Sequence, residues 1–271
     1  MARLVLVFDF DKTLIDWDSD NWVVEQLGVN DAFLRLLPTL PWNSLMDQMM
    51  MELHSRNKTV EDISECLKQI PIHPNIISAI QFAHASGSDL RIVSDANTFF
   101  IETILEHYGL MPYFSEIYTN PAYVDADNRL RISQYHHSKS FSHGCTICPP
   151  NMCKGLVIDK IRASISDGEG KCMIYVGDGT PDICATLKLG QGDFVMPREK
   201  FPLCEFISNN TTLIKADIQE WSDGEELGTR LLNLITTKVN ITSDLPVVDC
   251  KSQTNLISTH DSYTINLGTS S

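Results

Sequence analysis

Asp9 and Asp11 stand one residue apart, directly after the apolar run Leu4-Val-Leu-Val-Phe, and Thr13 follows them. Ser94 closes a second run, Leu90-Arg-Ile-Val. A third, Cys172-Met-Ile-Tyr-Val, leads into Gly177-Asp178-Gly179-Thr-Pro-Asp182, and Lys154 lies upstream of it. These residue types suit phosphorus chemistry. A carboxylate that attacks phosphorus splits one hard displacement into two easier ones, and Asp9 is the candidate nucleophile. A second carboxyl must protonate the leaving oxygen and then deprotonate water, a role for Asp11. Ser94 can hydrogen-bond a phosphoryl oxygen, and Lys154 can neutralise charge there and on Asp9. Two carboxylates on one side of a strand repel unless a cation or a proton sits between them. Mg²⁺ answers that repulsion because it takes oxygen ligands and brings a phosphate with it. Its expected ligands are Asp9, Asp178 and the backbone carbonyl of Asp11, with Asp182 either a further ligand or the group that orients Lys154.

Such scattered groups work together only if the fold gathers them. A short apolar run bounded by polar residues suits a strand buried on both faces, as in a parallel sheet. Helical spacing separates the runs, for example over Asn97–Tyr108 and from Met152 to Ile165. Strands alternating with helices specify an α/β fold, and a parallel sheet collects its carboxyl ends on one edge. From Asn21 to about Gly87 the pattern is helical, with Pro38, Pro41, Pro71 and Pro74 as punctuation. That block is far longer than a simple crossover needs, which marks it as an inserted helical cap. Thr59-Val-Glu-Asp62 reads as a capping box, and Met46, Met49 and Met50 read as core packing. The expected division is a core of 1–18 and 88–240, a cap of 19–87 and a disordered tail of 241–271. Asp125-Ala-Asp-Asn128 suggests a hairpin within Tyr123–Tyr135.

The bulk composition narrows the partners. The chain has 271 residues, 43% of them hydrophobic and 21% charged, which is ordinary for a globular protein. A formal net charge of -14 argues against nucleic acid or an anionic membrane as partner. No apolar stretch reaches transmembrane length. With no leader-like segment before the first strand, the expectation is a cytoplasmic protein that acts on a small phosphorylated substrate.

Asp9-x-Asp11-x-Thr13 together with Gly177-Asp178-Gly179-x-x-Asp182 resembles the haloacid-dehalogenase superfamily of phosphotransferases, over Leu4 to about Pro197. Four further stretches, Phe8-Asp-Phe-Asp-Lys-Thr, Asp18-Ser-Asp-Asn-Trp, Ile92-Val-Ser-Asp-Ala-Asn and Cys145-x-x-Cys148-Pro-Pro-Asn-Met-Cys153-Lys154, are similar to the phosphoethanolamine/phosphocholine phosphatase family. Its plant branch of thiamine-phosphate phosphatases and inorganic pyrophosphatases is the nearest in kind. The resemblance implies a Rossmann-like core with an inserted cap, Mg²⁺ dependence and the residue roles given above. It departs at Thr180-Pro181, where the family carries small residues, so Pro181 is expected to shift Asp182.

Two regions bear on specificity and metals. Asp16, Asp18 and Asp20, with Trp22 and the neighbouring Trp17 and Trp42, can form an anionic, aromatic pocket for a cationic leaving group; they can equally be helix caps and cap core. His143, Cys145, Cys148 and Cys153 have the ligand types of a structural zinc site, or form a compact thiol-rich loop that positions Lys154. The reading is an Mg²⁺-dependent phosphatase acting on a small monoester such as thiamine monophosphate, phosphocholine or phosphoethanolamine. The competing readings are an inorganic pyrophosphatase and a phosphate-binding protein without turnover.

Overall fold

The computed structural model describes residues 4–136, 143–165 and 172–243. In chain order the strands are β1 (Leu4–Phe8), β2 (Asp89–Asn97), β3 (Phe114–Asn120), β4 (Ala122–Val124), β5 (Leu130–Ile132), β6 (Cys172–Gly177), β7 (Phe194–Pro197) and β8 (Asp217–Ile218). The first helices are α1 (Ser19–Gln26), α2 (Asn30–Leu36), α3 (Trp42–Ser55), α4 (Val60–Leu67) and α5 (Pro74–Ala85). The remainder are α6 (Thr98–His107), α7 (Lys154–Ser164), α8 (Asp182–Thr186), α9 (Pro202–Asn209) and α10 (Gly224–Ser243).

Every residue of β1 is buried, because the strand pairs in parallel with β2 on one side and β6 on the other. The six-stranded sheet runs β3-β2-β1-β6-β7-β8 and all its pairs are parallel. The chain winds outward from β1 through β2 and β3, then returns to β6 and winds the other way. The reversal between β1 and β6 leaves a crevice at their carboxyl ends, the usual ligand position in such sheets. Asp9 and Asp178 are the residues that follow those two strands.

Side-chain alternation assigns each face its partners. Leu4, Leu6 and Phe8 join the apolar layer that includes Ile80 of α5, Ile101 of α6, Leu231 of α10 and the cap. Val5 and Val7 join the opposite layer, with Tyr175, Val195, Ile158 and Ile161 of α7 and Leu203 of α9. The expected capping box is present: Thr59 accepts the Asp62 N–H and Asp62 accepts the Thr59 N–H. Met46, Met49 and Met50 are buried in the cap core.

Two elements sit differently from the expected division. Within 19–87, α5 packs along α10 and β2 on the sheet, since its apolar stripe of Ile76, Ala79, Ile80 and Ala83 is buried there. The β4-β5 hairpin, in turn, lies against α3 of the cap. Asp47 of α3 accepts both Arg131 Nε at 2.8 Å and Nη2 at 2.6 Å, and the Ile132 N–H at 3.0 Å. The last helix continues to Ser243, past the expected boundary at 240, and the remainder of the expected tail lies outside the described residues. Among the described residues no helix is long and apolar enough to cross a membrane.

Close approach of α10 to α5 depends on Gly228, where an added Cβ would stand 2.4 Å from the Asn75 backbone carbon. Backbone cannot give way as a side chain can. Gly228→Val is therefore expected to lower stability by about 1–3 kcal/mol, read as a reduced urea midpoint at unchanged slope.

Candidate active site

The site is built around one buried ammonium. Lys154, the first residue of α7, has its side chain 1% exposed. Its Nζ lies 2.9 Å from Asp9 Oδ1 and 2.8 Å from Asp182 Oδ1. Asp9 is pinned beside β6 by its N–H, which donates to the Val176 carbonyl at 2.9 Å, and its Oδ1 also accepts the Phe10 N–H. Asp182 opens α8 and is wholly buried. Its Oδ1 additionally accepts the Tyr175 hydroxyl at 2.5 Å, and its Oδ2 accepts the N–H groups of Asp178 at 3.0 Å and Gly179 at 2.9 Å. Donors therefore occupy both oxygens of Asp182, which fits orientation of Lys154 and the loop better than metal ligation. Gly177 makes this possible, because a Cβ there would lie 2.6 Å from Asp182 Cγ. Pro181 does not displace Asp182 from this cluster: it sits at φ -60° just before α8, where a missing N–H costs nothing.

Charge in the cluster is unbalanced. Burial, then the neighbouring Asp182 carboxylate, pushes Asp9 well above the usual carboxylate range despite the opposing pull of Lys154. Burial and Asp182 likewise raise Asp178 to about 6. Desolvation alone would lower Lys154, but Asp182, Asp9 and Asp95 together hold it above its ordinary value. One carboxylate oxygen from each of Asp9, Asp178 and Asp182 lies within 4.8 Å of the other two. An oxygen-only donor set with surplus negative charge fits a hard divalent cation. Thr13 Oγ1 donates to Asp178 Oδ1 at 3.2 Å and fixes that carboxylate across the crevice.

Asp11 and Ser94 border the same cavity as this cluster. Asp11 Oδ1 accepts the Ser19 N–H at 3.0 Å, which ties it to the start of the cap. Burial, then Asp18 and Asp20, raises its carboxyl well above the usual carboxylate range. Ser94, buried near the end of β2, accepts the Ala96 N–H at 3.3 Å, leaving its own hydrogen to give to a phosphoryl oxygen.

A cavity of about 530 Å³ opens above these groups, lined by Asp9, Asp11, Ser94, Lys154 and Asp178 below and by Asp18 together with Asp20, Trp42 and Asn43 of the cap. Lys12, Asp95, Gln134 and Pro149–Asn151 also line it. Trp42 Nε1 donates to Asp20 Oδ2 at 2.7 Å, while Asp20 Oδ1 is buried with no hydrogen-bond partner. Burial, then Asp18, lifts Asp20 to about 7. Asp18 caps α1 through the Asn21 N–H and pairs with Lys12 at 2.9 Å. The other two expected specificity residues stand away from the cavity lining. Asp16 is taken by Arg198 at 2.7 Å, whose Nη1 also donates to the Lys12 carbonyl. Trp22 donates to the Cys66 carbonyl at 3.0 Å and packs on Trp17. Nor does His143 join the cysteines: its Nδ1 accepts the Cys145 N–H and its Nε2 meets the Pro149 carbonyl at 2.9 Å.

Tyr175 and Arg198 were not recognisable as site residues from the sequence. Alternation in β6 does carry a signal for Tyr175, which shares a face with Met173 toward the layer containing α7. Lys154→Met is expected to cost about 3–5 kcal/mol at neutral pH, because it strands two buried carboxylates without their cation. Chemical denaturation measures it directly.

The chain matches the family model described as "Putative Phosphatase" over residues 4–235. It is 56% identical over 234 residues to "Inorganic pyrophosphatase 2" of Arabidopsis thaliana, covering 86% of this chain and 84% of that protein. To the "Thiamine phosphate phosphatase-like protein" of the same plant it is 55% identical over 238 residues, covering 88% and 97%. To "Pyridoxal phosphate phosphatase PHOSPHO2" of Mus musculus it is 30% identical over 247 residues, covering 86% and 99%. The solved structure "Phospho-Aspartyl Intermediate Analogue of Phosphoserine phosphatase" shares the fold, with a TM-score of 0.56 at 18% identity over 86% of this chain and 99% of that one. A family match over residues 4–235, with relatives of 30% identity or more aligned over 84–99% of their own lengths, places the chain in the Putative Phosphatase family, with PHOSPHO-type phosphatases among its relatives, and makes it a phosphatase.

Proposed function

We propose that this phosphatase is Mg²⁺-dependent, works through an aspartyl-phosphate on Asp9 and prefers a small monoester with a cationic leaving group. The observation that carries the reading is Asp9 held 2.9 Å from the buried Lys154 at the floor of a cavity whose upper wall is acidic and aromatic. An Asp9 oxygen attacks phosphorus, and the ester bond breaks as Asp11 gives its proton to the leaving oxygen. Asp11, now ionised, takes a proton from water, whose oxygen attacks the same phosphorus and releases phosphate from Asp9. Ser94 and Lys154 hold the phosphoryl oxygens through both steps. Asp9, Asp178 and the Asp11 carbonyl would hold Mg²⁺, which cancels repulsion between anionic nucleophile and anionic substrate.

Asp18, Asp20 and Asp95 line the cavity with Trp42, an arrangement that favours an ammonium or thiazolium group by charge and by cation–π attraction. Thiamine monophosphate, phosphocholine and phosphoethanolamine carry such groups. Pyrophosphate is the second reading, supported by the names of two Arabidopsis relatives. It needs cations around its second phosphate, and among the described residues the lysines lining the cavity, Lys12 and Lys154, are already paired with aspartates.

Phosphate release from the three monoesters and pyrophosphate, with Mg²⁺ and with chelator, tests the reading. A cationic monoester is expected to win, and Asp9→Asn to lower turnover by on the order of 10³-fold or more. Preference for pyrophosphate would sink the cationic-pocket assignment while sparing the chemistry. Because Asp20 titrates near 7, its anionic fraction grows as pH rises from 6 to 8. KM for a cationic monoester should fall over that range. Asp20→Asn should raise KM about tenfold at pH 8 and remove the slope, and an unchanged profile would exclude Asp20 from recognition.

A further inference from the structure

We propose that Cys145, Cys148, Cys153 and Cys184 form a closed tetrahedral zinc site that clamps the two helices presenting Lys154 and Asp182. The sulfurs of these four residues lie within 4.8 Å of one another, with Cys145 and Cys153 at 3.6 and 3.5 Å from Cys184. Four thiolates around zinc at about 2.3 Å stand about 3.8 Å apart, so the cluster already has the spacing of a metal-centred tetrahedron. Cys145-x₂-Cys148 supplies a turn whose Ile147 and Cys148 N–H groups point at the Cys145 sulfur. Two N–H donors aimed at one sulfur suit a metal-bound thiolate.

Cys184 is the ligand that sequence spacing could not supply, since it lies 31 residues after Cys153. It sits in α8, two positions after Asp182, whereas Cys153 is the residue before Lys154 at the head of α7. The helices meet closely: a Cβ on Gly155 would stand 2.5 Å from Cys184 Sγ and 2.8 Å from its carbonyl oxygen. With four protein ligands no position is open to substrate, so the zinc is structural. It would fix the Lys154–Asp182 pair from behind and anchor Pro149, Pro150 and Asn151, which lie between two ligands and wall the cavity.

Elemental analysis of the full-length chain purified without chelator or added zinc tests the site. About one zinc per chain is expected, and thiolate-to-cobalt charge-transfer bands with tetrahedral visible bands should appear after cobalt exchange. Cys148→Ser and Cys184→Ser should abolish both signals, whereas His143→Ala and Cys204→Ser should keep them. The cobalt spectrum of the unaltered chain decides the matter if a cysteine variant fails to fold. A metal-free chain whose four thiols react freely at an unchanged melting temperature would overturn the proposal. So would a disulfide among the four in the native peptide map, or loss of zinc in His143→Ala.

Discussion

An ammonium with 1% of its side chain exposed needs anions around it, and Lys154 meets Asp9 at 2.9 Å and Asp182 at 2.8 Å. An unpaired buried charge costs several kcal/mol, so this contact constrains every element that touches it. It holds the end of β1 against the starts of α7 and α8, and through Asp182 it also holds the backbone of Asp178 and Gly179. Gly155 and Gly177 lack side chains because Cys184 and Asp182 already occupy the space a Cβ would take. The electrostatic need of one lysine thus explains local geometry at three points distant in sequence.

Negative charge still exceeds positive after that pairing. Burial drives Asp9, Asp11 and Asp178 upward, and Asp18, with Asp20 of the cap, adds charge from the opposite side. The two acidic regions suit different cations: the floor presents oxygens close enough to share a metal ion, and the roof presents a carboxylate beside an indole. Asp11 links them, since it lies between floor and roof and accepts the N–H of Ser19, where the cap begins.

Much of this was legible in the chain because parallel sheets obey strong rules. An apolar run ending in Asp-x-Asp, and two later runs ending in Ser94 and Asp178, must bring their carboxyl ends to one edge. The structure does bring Asp9, Asp11, Ser94, Lys154 and Asp178 to one cavity. What stayed hidden depends on contacts between distant residues, which leave no local periodicity. Asp47 meets Arg131 across 84 positions and so turns a core hairpin into part of the cap wall. Asp16 has the residue type for a cationic pocket but is claimed by Arg198 across 182 positions. Trp22 and Trp42 looked alike, and only the helix faces they occupy separate a cap-core residue from a cavity residue. β8 is two residues long and too short to show any alternation.

In the proposed mechanism Asp9 carries the phosphoryl group. Rapid acid quench during steady turnover, followed by borohydride reduction and peptide mass analysis, would test it directly, because reduction of an aspartyl-phosphate yields homoserine. Homoserine is expected at position 9 in proportion to the trapped phosphoenzyme, and none without substrate. Homoserine at another aspartate, or full turnover with no reducible acyl-phosphate at any quench time, would contradict it.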